Sequence, residues 1–366
     1  MRRVRPGCDR TRVSRLRRVG MSAGVAGVLA LAAATVPAAT SAVTVAEPGM
    51  ATAVREYGGT IVFSQFDQAT RRWYLSVRKA GKTPERLKVA SSPVPFNADI
   101  GTDSSGRPEL IYQRCTAATN VFEPQPTGCE LFVFSLADGT VERPVRNAND
   151  PHHNDVNPTL WHGRIAWTRE YGSGKNANPV VYTKTLAAPR SQPSTRVPGA
   201  PEKHCIGNTC EPTTYRHVGA LELSGDNLAV TVDYACGRCS GVAQNELRLD
   251  KVAHRSSQRV ASQTVGLNDQ HLVGPSFFDG RLAWYRACGV PEASCRKIVG
   301  PWRFRLSTRG YERGPPGPQT VTGFADTGSR LYEVIQRERT ANFRIDELTP
   351  PSYSPASAPL LAPVIV

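Results

Sequence analysis

Most of what would make a helical protein is missing from this chain. Nowhere in its 366 residues does a long stretch repeat apolar residues at helical spacing, which excludes a helical bundle. The signatures of common catalysts are missing too. There is no Gly-x-Ser-x-Gly nucleophile turn and no His-Glu-x-x-His zinc helix. Gly81-Lys82-Thr83 lacks the earlier glycine of a phosphate loop, Ser76 standing in its place, and reads as a hairpin turn. Beyond residue 42 no Lys/Arg-rich run occurs and no basic residues interleave with aromatics. Nucleic acid is therefore not an expected partner.

The first 42 residues stand apart. Eight arginines and one acid lie between Arg2 and Arg18, and an uncharged run from Met21 to Ala42 then closes on small residues. That order is expected of a secretory signal peptide cut after Ala42 or Ala46, with a membrane anchor as the alternative. No Cys follows the apolar run, which argues against a lipoprotein, and Arg17-Arg18 leaves Sec and twin-arginine export both open. Removing the leader leaves 37 basic and 30 acidic residues, a mature balance of +7 in place of +14. Such a charge favours weak attraction to an anionic cell wall.

The remainder is rich in Gly, Pro, Ser and Thr, with short runs alternating at period two, and reads as all-β. It also repeats itself. "NPTLWHGRIAWTRE" from Asn157 returns as "GPSFFDGRLAWYRA" from Gly274, and the same phrase is written less legibly elsewhere. Six anchors, Ile61, Leu110, Ile165, Leu228, Leu282 and Leu331, each open a strand behind a Gly/Asp/Asn/Ser turn, at spacings of 49, 55, 63, 54 and 49 residues. A second strand follows each. A strand-only repeat near 50 residues predicts propeller blades, since one small sheet must stack on its neighbours and radial closure removes long edges.

The segment "TDSSGRPELIYQRC…CELFVFSLADGTVERPV", Thr102 to Val145, resembles the TolB-type propeller repeat, a Ser-Pro-Asp-Gly hairpin followed by an Ile-Tyr-Val-x-Asp-Leu-x-x-Gly strand and turn. The resemblance covers about residues 50–350. No unit carries the whole Ser-Pro-Asp-Gly; Asp103 to Gly106 and Phe278 to Gly280 come nearest. It implies the fold and the blade number. The family's role as a periplasmic partner does not transfer, because the leader and composition resemble those of exported proteins of high-GC Gram-positive bacteria.

These observations give a signal peptide over 1–42, a six-bladed β-propeller over 43–350 and a Pro-rich tail over 351–366 that is mobile or lies along an edge. The Val43 to Glu56 segment is expected to complete the last blade, so that strands from both ends fasten the ring. The alternative is seven blades, one degenerate unit lying between Ile165 and Leu228; that Pro-rich interval reads better as a loop insertion, about 187–214. Six blades use the whole chain and leave no room for an attached hydrolase domain.

Without Cys8 of the leader, eight cysteines remain, an even number suited to disulfides in an exported chain. Their order suggests Cys115 with Cys129, Cys205 with Cys210, Cys236 with Cys239, and Cys288 with Cys295. Cys236 bonding across to Cys205 or Cys210 is the alternative. The "CGRC" at Cys236 has dithiol spacing but follows a strand instead of opening a helix, and a zinc cage with His204 is a further reading. Neither is adopted: no metal and no cofactor is expected.

Counting back ten to thirteen residues from the anchors reaches Asn97 to Ile100, His152 to Asp155, Tyr215 to Val218 and Asp269 to Leu272, where innermost strands begin. This predicts a polar channel mouth of Asp99, His153, Asp155, Arg216, His217, Asp269 and His271. The plain reading is that "NDPHHND" and "GLNDQH" only cap strand starts. Adjacent strand residues face opposite ways, so His152 and His153 would not share one ion. The expected function is that of a secreted monomer, a binding or scaffold module for protein, peptide or cell-wall glycan. The alternative is an extracellular lyase or hydrolase with a His/Asp pair in the channel.

Overall fold

Each anchor is followed by a second apolar residue, as in Leu110-Ile111, Ile165-Ala166 and Leu282-Ala283. A strand that is apolar on both faces has to be covered on both sides. The computed structural model shows what covers it. It describes residues 42–118, 126–139, 142–172, 178–197, 203–206, 209–236, 243–265, 270–288, 299–318, 320–337 and 342–358; within these, the backbone alone is described at 118, 203–206, 209–216, 235–236, 243–244, 263–265, 270 and 288.

The chain opens with β1 (Ala42–Ala46). Blade one is β2 (Val54–Tyr57), β3 (Thr60–Asp67), β4 (Arg72–Lys79) and β5 (Glu85–Arg86). Blade two is β6 (Ala98–Thr102), β7 (Pro108–Ala118), β8 (Pro126–Ser135) and β9 (Glu142–Pro144). Blade three is β10 (Asn154–Trp161), β11 (Arg164–Tyr171), β12 (Asn178–Thr185) and β13 (Thr195–Arg196). Blade four has five strands: β14 (Lys203–Ile206), β15 (Thr209–Ser224), β16 (Asn227–Cys236), β17 (Ala243–Lys251) and β18 (Ser256–Val265). Blade five follows with β19 (Gln270–Phe278), β20 (Arg281–Cys288), β21 (Gly300–Arg305) and β22 (Tyr311–Arg313). Blade six has β23 (Val321–Asp326), β24 (Leu331–Gln336) and β25 (Phe343–Leu348), after which β26 (Ser354–Ala356) returns to the edge of blade five against β22.

Each of the strands β2, β6, β10, β15, β19 and β23 touches the next, and β23 touches β2, so six inner strands close a ring. Where β6 lies against β10, a Cβ on Gly101 would strike the Leu160 carbonyl. The fold is an all-β six-bladed propeller. Six hydrophobic clusters fill its six seams, every one shared by two adjacent blades. The anchor faces the preceding seam and its neighbour the following one: Leu110 packs toward blade one, Ile111 toward blade three. The duplicated Gly-Arg-(Ile/Leu)-Ala-Trp is thus a two-sided strand behind a tight turn. At His162-Gly163 and Asp279-Gly280 both residues have positive φ, the conformation that turns a hairpin without splaying its strands.

The last blade is completed by β1, which pairs antiparallel with β25, Val43 opposite Glu347 and Thr44 opposite Asp346. The Val43 to Glu56 segment does not act as one unit, however. Pro48-Gly49 interrupts it, and the residues beyond become β2, the innermost strand of blade one. Among the described residues between Ile165 and Leu228 there is no seventh sheet; the interval expected as a loop supplies β13, β14 and the opening of β15. Gly81 turns the chain between β4 and β5.

Cys115 and Cys129, opposite each other on β7 and β8, form a disulfide. Cys205 and Cys210 are directly opposed in the β14–β15 register, Cys236 and Cys288 end β16 and β20, and Cys239 and Cys295 lie outside the described residues.

Blade six also holds a buried acid. Glu333 is 3% exposed, lies opposite Asp346 across β24–β25, and its Oε2 has no hydrogen-bond partner. Burial, and after it Asp346, pushes its pKa from near 4.5 up to about 8. The folded chain therefore keeps a proton that the unfolded chain releases, and this stability is lost as pH rises from about 4.5 toward about 8. Glu333→Gln, neutral at every pH, is expected to melt with the parent at pH 5 and several degrees above it at pH 8. Calorimetric scans at the two values check this.

Candidate functional site

Register defines one layer of the inner ring. Arg55, Asp99, Thr159, Glu222, Ser276 and Ala325, one from each blade, all pair with the residue after their anchor. Three of them repeat a bond to the next blade: Asp99 Oδ2 accepts from the Leu160 amide at 2.8 Å, Thr159 Oγ1 from Leu223 at 3.0 Å, and Ser276 Oγ from Asp326 at 2.9 Å. Thr159 also donates to Asp99 at 2.7 Å. These bonds satisfy buried amides that face another blade instead of a strand partner.

Arg55 breaks the pattern. Its Nη1 donates to the Pro275 carbonyl at 2.5 Å, its Nη2 to the Leu221 carbonyl at 3.1 Å, and its Nε lies 3.6 Å from Glu222 Oε2. Blade one is flanked by blades two and six, so this side chain crosses the axis to blades four and five. Arg55 and Glu222 then form the floor of a concave cavity of about 630 Å³ that opens among the hairpin turns. Trp161, Phe277 and Phe278 contribute aromatic surface, and Glu56, Asp279, Arg281 and Arg330 contribute charge.

Much of that charge is balanced within the walls. Arg330 pairs with Glu347 at 3.1 Å, Arg281 lies 3.7 Å from Glu312, and Asp326 takes a two-pronged contact from Arg303 at 2.8 and 2.9 Å. At the floor, burial pushes Glu222 well above the ordinary carboxylate range, Asp99 adding to the effect and Arg55 opposing it. Among the described residues Glu222 Oε2 has no hydrogen-bond partner. Burial raises Glu56 and Asp99 as well. At the floor burial thus favours the protonated form of Glu222, which can donate as well as accept.

The residues expected at the channel mouth do not form one ring. Asp99 lies in the axial layer just described, 3% exposed. A constant count back from the anchor misplaces it, because the blade-two hairpin runs one residue pair further and turns over five residues, Asp103 to Arg107, in place of two, which sets Asp99 eleven residues before its anchor where the others stand six. Asp155 is fully buried and structural: it accepts from Arg169 Nε at 2.8 Å, Trp167 Nε1 at 2.9 Å and the Asp150 amide at 2.8 Å. His153 lies against Tyr171, the ring centres 4.4 Å apart and the planes tilted by 54°.

His217 and His271 do share a layer with Asn154, opposite Asp233, Ala287 and Glu170 respectively. This layer lies on the face away from the cavity. His217 Nδ1 is 3.5 Å from Asp233 Oδ2; that carboxylate first, and Glu170 after it, hold the imidazole above its ordinary pKa. His271 is exposed. Arg216 is described by its backbone alone, in β15, and Asp269 lies outside the described residues.

Sequence reasoning passed over Arg55 and Glu222. Both stand six residues before their anchors, as do Thr159, Ser276 and Ala325. Counting six back would have shown that layer, with a cation and a carboxyl where its neighbours carry Thr, Ser and Ala.

No family model and no curated protein matches this sequence. Among solved structures the chain is similar to the β-propeller domain of the Trilobed protease from Pyrococcus furiosus, at 8% identity and TM-score 0.45 over 84% of this chain and 83% of that one. It is also similar to the phage phi92 endosialidase, at 9% identity and TM-score 0.44 over 86% and 69%. A third likeness, to an ulvan lyase, has 10% identity and TM-score 0.38 over 80% and 82%. All three are likenesses of fold.

Proposed function

We propose that the chain is a secreted monomeric propeller of the TolB repeat type that works as a binding module, taking its ligand in the axial cavity on the hairpin-turn face. One observation carries this reading: Arg55 closes the axis, so the cavity has a floor, and a volume of about 630 Å³ falls within the range of small-molecule sites. Charges matched within the walls, a floor carboxyl whose protonated form burial favours and aromatic faces at the sides favour a polar ligand of low net charge that presents both donors and flat apolar faces. Of the expected classes, cell-wall glycan fits this better than an acidic or basic peptide. The disulfide supports an oxidising compartment.

Soluble peptidoglycan fragments are the probe. In titration calorimetry Trp161→Ala should weaken their binding at least tenfold, whereas Glu222→Gln, which keeps a neutral donor and acceptor, should stay within a few-fold of the parent. Unchanged affinity in Trp161→Ala would sink the reading.

A second reading rests on His217, whose contact with Asp233 supplies an acid and its orienting carboxylate for a lyase or hydrolase. It requires turnover of a polymeric substrate that disappears in His217→Ala, together with retained binding in Trp161→Ala.

A further inference from the structure

Lys184, near the end of β12, is 6% exposed. Its ammonium carries three donors, and among the described residues one is used: Nζ donates to the Asn147 carbonyl at 2.9 Å. It lines an open pocket of about 410 Å³ on the outer side of the seam between blades two and three, together with Arg190, Arg169, His152, Ser194 and one carboxylate, Asp150.

The charges here are not balanced. Arg169 is matched, its Nε 2.8 Å from Asp155 and its Nη1 3.5 Å from Asp150. Among the described residues Lys184 and Arg190 have no carboxylate within ion-pair distance. Burial holds the Lys184 pKa below its ordinary value, as expected of a cation that has lost water without gaining a counter-ion.

The pocket is also built. The Asn147 side chain donates to the carbonyls of Leu186 at 3.0 Å and Ala188 at 2.7 Å, fastening to blade two the connection that carries Arg190. Its own carbonyl aims the Lys184 ammonium. One asparagine therefore positions both cationic elements, which reach the pocket from different parts of blade three.

We propose that this pocket binds a phosphate-type oxyanion. A tetrahedral anion presents several acceptor oxygens, enough for the spare protons of an ammonium and one edge of a guanidinium together. The anion could arrive as free phosphate or as a phosphodiester of an envelope polymer, and the mature charge of the chain suits either source. The inference does not depend on the axial cavity, which lies elsewhere on the ring.

The test is titration of the mature chain at low ionic strength with inorganic phosphate and, separately, with soluble poly(glycerol phosphate), sodium chloride serving as the ionic-strength control. Lys184→Met and Arg190→Ala should each weaken binding of the effective probe at least tenfold, while Lys88→Ala, an exposed cation on blade one, leaves it unchanged. Both probes failing on the parent, a chloride effect equal to that of phosphate, or full affinity in a folded Lys184→Met would each overturn the proposal. If Lys184→Met fails to fold, the exposed Arg190→Ala decides alone. Tight binding of the polymer with weak binding of the free ion identifies the polymer as the source, the reverse order identifies the free ion, and either supports the site.

Discussion

Arg55→Met is expected to destabilise the fold by about 3 kcal/mol, lowering its midpoint by about 5 °C. The substitution leaves the carbonyls of Pro275 and Leu221 buried and without their donors. It also withdraws the cation that eases the burial of Asp99 and Glu222. Methionine refills most of the volume, so the loss reports hydrogen bonding and charge more than a cavity. Arg55→Lys should fall between parent and Met: an ammonium can reach one carbonyl but lacks the planar fork that spans two blades. Guanidinium unfolding of the three proteins checks the order, and a Met variant as stable as the parent would mean that the axial clamp contributes nothing. Because the same residue floors the cavity, its loss should also weaken any ligand bound there.

A still larger effect is expected from removing β1. Val45 and Ala46 are 8% and 7% exposed, in the seam between blade six and blade one, and the strand pairs along β25. Losing those contacts and that pairing exposes the seam as well as the β25 edge, a cost on the order of 5 kcal/mol. The result bears on how the chain is matured. A signal cut after Ala42 leaves Val43 to Ala46 in place, while a cut after Ala46 removes the strand. Calorimetry of chains starting at Val43 and at Glu47 should show a single cooperative transition for the first, and for the second a midpoint lower by about 10 °C or aggregation through the freed edge. Equal midpoints would show that closure by β1 is dispensable.

The repeat was legible because burial writes directly into sequence. An inner-sheet strand covered on both faces must be apolar at consecutive positions, and a tight hairpin must place Gly, Asp or Asn just before it, so six anchors, all at most 1% exposed, could be picked out. Nothing in the Pro-rich tail said which blade it would meet; β26 lies along the edge of blade five. Turn length was not legible. Asp99 was grouped with the histidines because a constant count ignores the longer turn of blade two. The break at Pro48-Gly49 likewise assigns one N-terminal segment to two blades. The candidate site was hidden for a different reason: Arg55 acts across the axis on residues 166 and 220 positions away, and no local pattern records which blades face each other. Of the residues singled out beforehand, His217 retains a chemical partner, whereas Asp155 proved to be the buried counter-ion of Arg169.

Closure of the ring is the premise on which the axial floor and the cavity depend. Val43 and Glu347 are opposite each other in the β1–β25 register, near the two ends of the described chain. Replacing both with cysteine and mapping non-reduced peptides tests that premise most directly. The account predicts a bridge between positions 43 and 347 that forms without denaturant and raises the melting point. Two free thiols at those positions, in a protein that still folds cooperatively, would contradict it.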